Sequence, residues 1–389
     1  MRRLHIFYPQ NDLALAQNLE NYTAPAAATV LARSGAGLPM WYGEGGDEFV
    51  SEGVNARWLN EMRDTFGCEV SPWRHETEGI MPAPWGWSRA SRRYFRRLGF
   101  GGDAMPDDCT LDRLRELSGR RSACILGRAL AAEGLMPEAM VAEEIRNEAE
   151  AREYTLRHPD ALFKLPWSSS GRGQIRVNGE CDFEARRQAI AGALRRYGFL
   201  TAEPFHRKKI MDFAHLFEAN GGKVEYAGLS IFKTADNGDY AGNVLASEEM
   251  LRAMLEGGDA ETGAQLEAIA DVQCRALEAL LDGDYEGPLG VDMMTVEGDD
   301  GGRKIVACVE LNLRMTMGHV ARRLHEHYCE PGSMGRFYIE GGATGRAGEA
   351  ETKDGRLRRG LLRLNPTEYA TGFFAEVGET GGFSVCLTR

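Results

Sequence analysis

The segment Lys304 to Arg314, KIVACVELNLR, most limits what this chain can fold into. It is a run of strand-forming residues in which polar side chains recur at every second position near the end. Because alternate side chains of a strand share a face, Glu310, Asn312 and Arg314 should lie together, with the leucines between them buried on the other side. A carboxylate, an amide oxygen and a guanidinium on one face suit a divalent cation held beside phosphate oxygens.

A second strand is predicted just before this segment. Gly290 to Val296, GVDMMTV, is strand-forming, and the Gly/Asp-rich stretch 297–303 predicts a turn. If the strands form a hairpin around Gly301, Asp292 lies opposite residues 308–310 and adds a second carboxylate. The same pattern is typical of an edge hairpin with a solvated polar face, so both interpretations stay open at this point.

The composition is that of a globular protein and excludes several classes. At 389 residues the chain suits about two or three subdomains. A net charge of −12 argues against a general binder of nucleic acid or anionic membranes. The eight cysteines show no CxxC pair or zinc spacing, which favours reduced thiols. No signal peptide and no apolar stretch of about 18 residues is found, so we expect a cytoplasmic protein without a membrane span.

The N-terminal part predicts an α/β domain. Leu4 to Tyr8 is an apolar strand, and a polar turn and an alanine-rich helix follow it. The turn lacks the glycines of a dinucleotide-binding fingerprint. Asn11 and Asp12 follow the carboxyl end of this strand, where open α/β sheets bind ligands, but either residue also suits a helix cap. We expect capping.

Further along, a lysine-bearing strand leads into a loop of small residues. The strand is 162–167, LFKLPW, with Lys164 inside it, and the loop is 168–173, SSSGRG. Backbone N–H groups of such a loop can surround phosphate oxygens, and the lysine adds a positive charge. The loop is not a Walker A sequence because no GK[ST] follows. Taken alone, it is more often a mobile surface linker.

The segments after this loop predict antiparallel strands and helices. Strand 210–217, which carries Asp212, should pair with strand 224–233 through an Asn-Gly-Gly turn. Apolar residues recur at helical spacing over 247–282. Residues 341–360 are Gly-rich and charged, and we expect a long surface loop there.

The order of these elements resembles the ATP-grasp superfamily. Lysine strand, Ser/Gly loop, helix, Glu-bearing segment, antiparallel sheet, helices, Asp strand and Glu-x-Asn-x-Arg follow one another over roughly residues 110–325. The resemblance implies an α/β fold, α+β in the ATP-grasp module. The implied parts are an N-terminal α/β domain (1–110), a helical linker (111–160), a central lobe with the phosphate loop (161–245) and a C-terminal lobe with antiparallel sheet, metal site and tail (246–389).

The resemblance also implies a nucleotide site. Lys164 matches the lysine that contacts the α-phosphate, and the Ser/Gly loop matches the one that closes over the β- and γ-phosphates. Residues 203–205 match the segment that hydrogen-bonds adenine, largely through its backbone, and Asp212 matches the acidic residue on the ribose hydroxyls. The implied ATP-binding residues are Arg120, Lys164, Ser168, Ser169, Ser170, Gly171, Arg172, Gly173, Glu203, Pro204, Phe205 and Asp212.

By the same resemblance the hairpin supplies the metal site and a catalytic residue. Asp292, Glu310 and Asn312 match the ligands of Mg²⁺, for which we expect two ions, with Mn²⁺ as an alternative metal. Arg314 matches an arginine that faces the transferred phosphate or acyl phosphate, and Arg314 and Lys164 are the expected catalytic residues.

Two positions depart from the family pattern. Arg120 stands where the family usually has a lysine at the start of a helix, and it can still bind phosphate. Gly290 stands where the ligases that join two D-alanines have an arginine, so Arg314 would take over the oxyanion role from the neighbouring strand.

The implied activity is that of a ligase. A small-molecule or peptide carboxylate would be activated by ATP as an acylphosphate and joined to an amine or similar nucleophile, with release of ADP and phosphate. The expected partners are these small-molecule substrates, with no nucleic acid and no membrane, and a homodimer is left open. Two alternatives remain: a small-molecule kinase on the same fold, and a non-catalytic ATP-binding protein.

Overall fold

The computed structural model describes residues 2–168, 173–235, 239–298 and 301–378, apart from the side chain of Ala260. None of the helices in these ranges combines the length and apolar character that a membrane span requires. The fold is mixed, with one parallel and two antiparallel sheets, which confirms the predicted fold class. The predicted loop residues Ser169, Ser170, Gly171 and Arg172, and Asp299 and Asp300 of the predicted turn, lie outside the described residues.

The N-terminal sheet consists of four parallel strands in the order β3-β2-β1-β4. Leu4, Ile6 and Ile80 pack in a small core against Phe95. Because β1 and β4 are parallel neighbours, the turns that follow them meet at one edge of the sheet. The elements are β1 Arg2–Ile6, α1 Asn11–Gln17, α2 Ala26–Ser34, α3 Pro39–Tyr42, β2 Glu48–Phe49, α4 Ala56–Phe66, β3 Ser71–Pro72, β4 Ile80–Pro84 and α5 Arg89–Arg97, followed by a 3₁₀ turn at Gly102–Ala104.

A small antiparallel sheet, in the order β5-β8-β6-β7, carries the predicted lysine strand. On β6 the side chain of Phe163 is buried in the core under the helices, while Lys164 is buried on the opposite face. The elements are α6 Asp108–Leu117 and α7 Arg121–Ala132, a 3₁₀ turn at Glu138–Met140, and then β5 Glu143–Ile145, α8 Glu148–Arg157, β6 Asp160–Lys164, β7 Gln174–Asn178, α9 Gly179–Tyr197 and β8 Leu200–Pro204.

The large sheet has nine antiparallel strands in the order β13-β12-β9-β10-β11-β14-β17-β16-β15. Both hairpins predicted from the sequence are confirmed, β9 with β10 and β12 with β13. Gly221 and Gly222 have the positive φ angles, 57° and 77°, that the first turn requires. The elements are β9 Lys209–Asn220, β10 Lys223–Thr234, β11 Tyr240–Leu245, α10 Glu248–Glu256, α11 Ala260–Leu281, β12 Gly287–Glu297, β13 Arg303–Asn312, α12 Met317–Tyr328, β14 Met334–Gly341, β15 Ala350–Lys353, β16 Arg356–Arg363 and β17 Thr371–Gly378.

The prediction of a surface loop over 341–360 is wrong for residues 350–360. Strands β15 and β16 pair there as a hairpin. Its turn is Asp354-Gly355, with φ angles of 50° and 75°, which is the backbone that two-residue hairpin turns require. The buried leucines of β16, Leu357 and Leu362, are separated by exposed arginines and lie five residues apart, so they do not recur at the period of a strand.

Sheet membership also bears on the predicted central lobe of residues 161–245. Strand β5 at 143–145 belongs to the small sheet, whereas β9–β11, at 209–245, pair within the large one. We therefore propose a lobe boundary near residue 206.

A second core joins the N-terminal sheet to the large sheet. Phe7 and Trp85 pack in one cluster with Phe337 and Phe373, and the Trp41 indole N–H donates to the Leu364 carbonyl oxygen at 3.1 Å. A further hydrogen bond, from Met315 N to the Trp85 carbonyl oxygen at 2.8 Å, joins the turn after β4 to the segment after β13. Together these contacts hold the turns after β1 and β4 against the end of β13.

Candidate active site

The two carboxylates of the β12–β13 hairpin face each other. Asp292 and Glu310 are direct register partners, and Gly290 pairs with Asn312 two residues along, on the same face of the hairpin. Asn312 is buried, and its side chain hydrogen-bonds the Asp292 carboxylate. Asp292, Glu310 and Asn312 therefore bring four acceptor oxygens of carboxylates and one amide group to the same end of the hairpin.

The electrostatics of this trio favour a bound cation. Burial, and then the negative charge of Glu310, raise the pKa of Asp292 to about 7. Two carboxylates held this close repel each other unless a proton or a cation lies between them. A divalent cation would replace the proton and keep both groups ionised.

The donor set fits Mg²⁺. Among the described residues, no three His, Cys, Asp or Glu side chains are grouped as metal ligands. The hairpin instead offers two carboxylates and an amide, an all-oxygen set that leaves coordination positions for phosphate and water, as Mg²⁺ prefers.

Arg120 connects the hairpin to the start of the Ser/Gly loop. Its Nη2 donates to Ser168 Oγ at 3.3 Å and lies 3.1 Å from Glu310 Oε1. Its backbone N–H donates to the Pro166 carbonyl oxygen at 3.1 Å. The side chain is buried, yet Nε and Nη1 have no hydrogen-bond partner within the described ranges. A buried guanidinium with unpaired N–H groups is suited to an anionic ligand.

Lys164 and Glu203 form a buried ion pair on neighbouring strands β6 and β8. Lys164 Nζ lies 2.5 Å from Glu203 Oε1, and the two side chains are 5% and 12% exposed. The charges of Lys164, Glu203 and Asp292 all act on the buried thiol of Cys308, which indicates that the pair lies near the hairpin. Each of the two buried charges thus has an oppositely charged partner.

The predicted adenine segment has fewer free donors than expected. Pro204 has no N–H, and the Phe205 N–H donates to the Asp160 carbonyl oxygen at 2.8 Å. The Arg176 guanidinium lies over the Phe205 ring at 3.7 Å. Carbonyl oxygens and the Glu203 carboxylate are the groups that remain for adenine in this segment.

Asp212 lies on β9, one strand away from Asp292. Its Oδ2 accepts from Lys209 Nζ at 2.6 Å and from Thr234 Oγ1 at 2.9 Å. Its charge contributes to the raised pKa of Asp292. Within the described ranges these hydrogen bonds both end on Oδ2, and the ribose contact stays a prediction. Gly173, the described end of the Ser/Gly loop, has a φ of 74°, and its carbonyl oxygen accepts from Leu165 N at 2.9 Å.

Arg314 joins the hairpin to the N-terminal sheet. Its Nε and Nη2 donate to the two carboxylate oxygens of Asp12, each at 2.8 Å, and Nη2 also donates to Asn312 Oδ1 at 2.8 Å. The expected helix cap by Asn11 or Asp12 is therefore wrong. Gln10 is the N-cap of α1, without a side-chain hydrogen bond, and Asp12 lies inside the helix.

Asn11 lies in the cleft, which is the alternative to a helix cap that its position after β1 allowed. It is 1% exposed, and within the described ranges neither atom of its amide group has a hydrogen-bond partner. A Cβ at Gly86 would lie 2.5 Å from Asn11 Nδ2 and 2.9 Å from Arg314 Cβ. Glycine at 86 therefore allows Asn11 and Arg314 to approach each other. The signal available in the sequence was position, since Asn11 follows the carboxyl end of β1.

Some of these groups line one small cleft that is open to solvent, although Arg120, Lys164, Glu203, Asp212 and Asp292 are not part of its lining. It lies where the N-terminal sheet, the start of the Ser/Gly loop and the hairpin meet. Trp167 forms part of its wall, held by a hydrogen bond from its indole N–H to the Arg115 carbonyl oxygen at 2.9 Å and by the Arg115 guanidinium 3.6 Å above the ring. The polar residues of the lining are Asn11, Asp12, Ser118, Ser168, Glu310, Asn312 and Arg314.

The chain has the ATP-grasp fold, as the order of its sequence motifs predicted. It is similar to biotin carboxylase from Campylobacter jejuni in a β,γ-ATP complex, with a TM-score of 0.54 and 11% identity over 97% of this chain and 87% of that one.

Two other solved structures align along nearly the whole chain. N5-carboxyaminoimidazole synthetase from Staphylococcus aureus with ADP gives a TM-score of 0.49 and 11% identity, covering 100% of this chain and 97% of that one. L-amino acid ligase from Bacillus licheniformis gives 0.44 and 14%, covering 99% and 95%. No family model matches the chain, and no curated protein matches it.

Proposed function

We propose that this protein is an ATP-dependent ligase that activates a carboxylate as an acylphosphate and joins it to an amine or similar nucleophile, releasing ADP and phosphate. The observation that carries the proposal is a pair of facing carboxylates, Asp292 and Glu310, with two guanidinium groups beside them. Arg120 Nη2 lies 3.1 Å from Glu310 Oε1, and Arg314 Nη2 donates to Asn312 Oδ1 at 2.8 Å. The carboxylates suit Mg²⁺, and the guanidinium groups suit phosphate and carboxylate oxygens. ATP and Mg²⁺, with two ions, are part of the proposal.

Each residue has a distinct part in the proposed chemistry. Asp292, Glu310 and Asn312 would hold Mg²⁺, which would neutralise part of the phosphate charge. Arg120 binds the terminal phosphate through its unpaired N–H groups, and Lys164 binds a phosphate oxygen closer to the nucleoside. These contacts hold the phosphoryl group in line with the attacking oxygen, so catalysis rests on positioning and charge.

Arg314 acts on the carboxylate substrate. A carboxylate oxygen attacks the γ-phosphorus while the bond to the β-phosphate oxygen breaks, and ADP leaves. The amine then attacks the acyl carbon, the bond to phosphate breaks, and the amine loses a proton. The Arg314 guanidinium can steady the oxyanion formed in that second step.

Nucleotide binding tests the first half of the proposal. ATP with Mg²⁺ should raise the melting temperature, because a ligand at about 100 times its Kd adds about 2.7 kcal/mol to the free energy of unfolding. ATP with excess EDTA should raise it much less, because EDTA removes the metal ion. Arg120→Gln should lose most of this shift, whereas Arg195→Gln, an exposed arginine of α9, should keep it. Equal shifts for all nucleotides with and without Mg²⁺ would refute the site.

Trapping the activated carboxylate tests the second half. Hydroxylamine captures an acylphosphate at carbon, whereas a phosphate ester made by a kinase does not react. With a productive carboxylate, hydroxamate and ADP should form in equal amounts. AMP and pyrophosphate would overturn the phosphoryl-transfer mechanism, and a stable phosphorylated product without hydroxamate would identify a kinase.

A further inference from the structure

One end of the cleft presents opposite charges beside an unpaired amide. The ion pair of Arg314 and Asp12 has side chains that are 19% and 18% exposed, so both remain accessible from the cleft. Asn11, next to Asp12, is 1% exposed, and neither its amide oxygen nor its amide nitrogen has a hydrogen-bond partner in the described part of the chain. Burying an amide without partners costs free energy, and a ligand that completes its hydrogen bonds would recover it.

The ion pair leaves hydrogen-bonding capacity on both sides. Each carboxylate oxygen of Asp12 has a lone pair beyond the one that Arg314 uses, and the Asn11 amide oxygen is another acceptor. On Arg314, Nη1 has only a long contact, 3.4 Å, with the Met315 carbonyl oxygen. The site therefore offers acceptors for a cationic group directly beside donors for an anionic group.

We propose that this end of the cleft binds an α-amino acid, with its carboxylate on Arg314 and its ammonium group on Asp12 and Asn11. The inference rests on the proposed ligase function and names the class of its carboxylate substrate. Arg314 Nη2 also donates to Asn312 Oδ1 at 2.8 Å. A carboxylate on Arg314 thus lies beside the proposed metal ligands, which is where the activated group must be.

Charge complementarity selects this class over simpler ligands. A carboxylate without a neighbouring cation would be repelled by Asp12, and an amine without a carboxylate would be repelled by Arg314. An amino acid carries both charges on neighbouring carbons and matches the pair with no net charge to compensate. Asn11 would complete the ammonium contacts through its amide oxygen, which has no partner among the described residues.

Matched pairs of substrates test the proposal. Each of the common L-amino acids would be compared with its des-amino counterpart, such as alanine with propanoate and glutamate with glutarate. ADP formation would be followed with MgATP and hydroxylamine. We expect at least one amino acid to be a substrate, with a kcat/KM at least about 100-fold above that of its counterpart, because a site built to bind a polar group rejects analogues that lack it.

Two variants separate recognition from a structural role. Asp12→Asn should lower the ratio of kcat/KM between amino acid and des-amino acid at least about 10-fold, a ratio that mere misplacement of Arg314 would not change. Asn11→Ala keeps the ion pair and should lower the same ratio. Gln17→Ala, at an exposed position of α1, should leave the ratio and the KM for ATP unchanged.

The failures are distinguishable. Carboxylates without an amino group that are used as well as amino acids would overturn this inference and leave the ligase standing. If Asp12→Asn and Asn11→Ala leave the ratio unchanged, their assignment is overturned. If no carboxylate of either set yields ADP or hydroxamate although MgATP binds, the proposed function fails, and this inference fails with it.

Discussion

Replacing Asp292 with asparagine should stabilise the metal-free protein and remove its response to Mg²⁺. In the folded protein Asp292 is half-buried and faces Glu310. Burial and the Glu310 charge raise its pKa to about 7. Asparagine has nearly the same shape and carries no charge, so it removes both the desolvation cost and the repulsion.

The raised pKa sets the size and the pH range of this effect. From the ordinary value of 3.8 to about 7, the shift corresponds to at most about 4 kcal/mol at 1.36 kcal/mol per unit, and partial solvent access makes about 2–4 kcal/mol a better expectation. The folded form binds the proton more tightly than the unfolded form. The stabilisation by asparagine should therefore be full above pH 7 and should vanish as the pH falls towards 3.8.

Thermal unfolding in EDTA, at pH 8 and pH 4.5, measures this change. With about 2.1 cal/mol/K of unfolding entropy per residue, a gain of 2–4 kcal/mol raises the Tm by about 2–5 °C at pH 8. MgADP should then stabilise the variant far less than the wild type. Glu225→Gln, an exposed carboxylate on β10, is the control and should change neither quantity. A lower Tm in EDTA, or an unchanged Mg²⁺ response, would refute this account of the hairpin.

Lys164→Met should lower the free energy of unfolding by about 3–5 kcal/mol because it leaves Glu203 buried and unpaired, and adding Glu203→Gln should restore much of the loss; urea titration decides, and no recovery would contradict the pairing. Arg314→Lys should lower kcat/KM at least about 100-fold with ATP affinity retained, since an ammonium group cannot contact two carboxylate oxygens in the way that a guanidinium group does. Unchanged steady-state kinetics would exclude the proposed role of Arg314 in binding the carboxylate substrate. Burial lowers the pKa of His215 from 6.5 to about 4, so between these pH values the ring is neutral in the folded protein and gains a proton on unfolding. The free energy of unfolding should therefore fall by up to about 1.4 kcal/mol per pH unit as the pH is lowered from 6.5 to 4. Urea titrations at pH 7 and 4.5 should show a smaller fall for His215→Gln.

The elements that the sequence predicted well are those determined by neighbouring residues. The two confirmed hairpins have alternating apolar residues and a glycine-containing turn, so the pairing partner is close in the chain and the turn sets the register. The hairpin of β15 and β16 has the same kind of turn at Asp354-Gly355, but the arginine-rich β16 has no apolar residue at every second position. Charged residues on an exposed strand face make the strand difficult to predict from the sequence, although they do not prevent it from forming.

The end of the cleft that holds Asp12 and Arg314 depends on a contact that no local rule contains. Asp12 and Arg314 are 302 residues apart, and they meet because the N-terminal sheet packs on the large sheet through the core around Phe7 and Trp85. A local rule makes Asp12 a helix cap, worth about 1 kcal/mol. The structure instead uses it as the partner of a half-buried arginine, and Gly86 provides the space that brings Asn11 to the same place. The proposed metal ligands lie on one hairpin, so a local pattern could group them. For Asn11 and Asp12 the sequence offered only their position after β1, because they become neighbours of Arg314 only when two sheets dock.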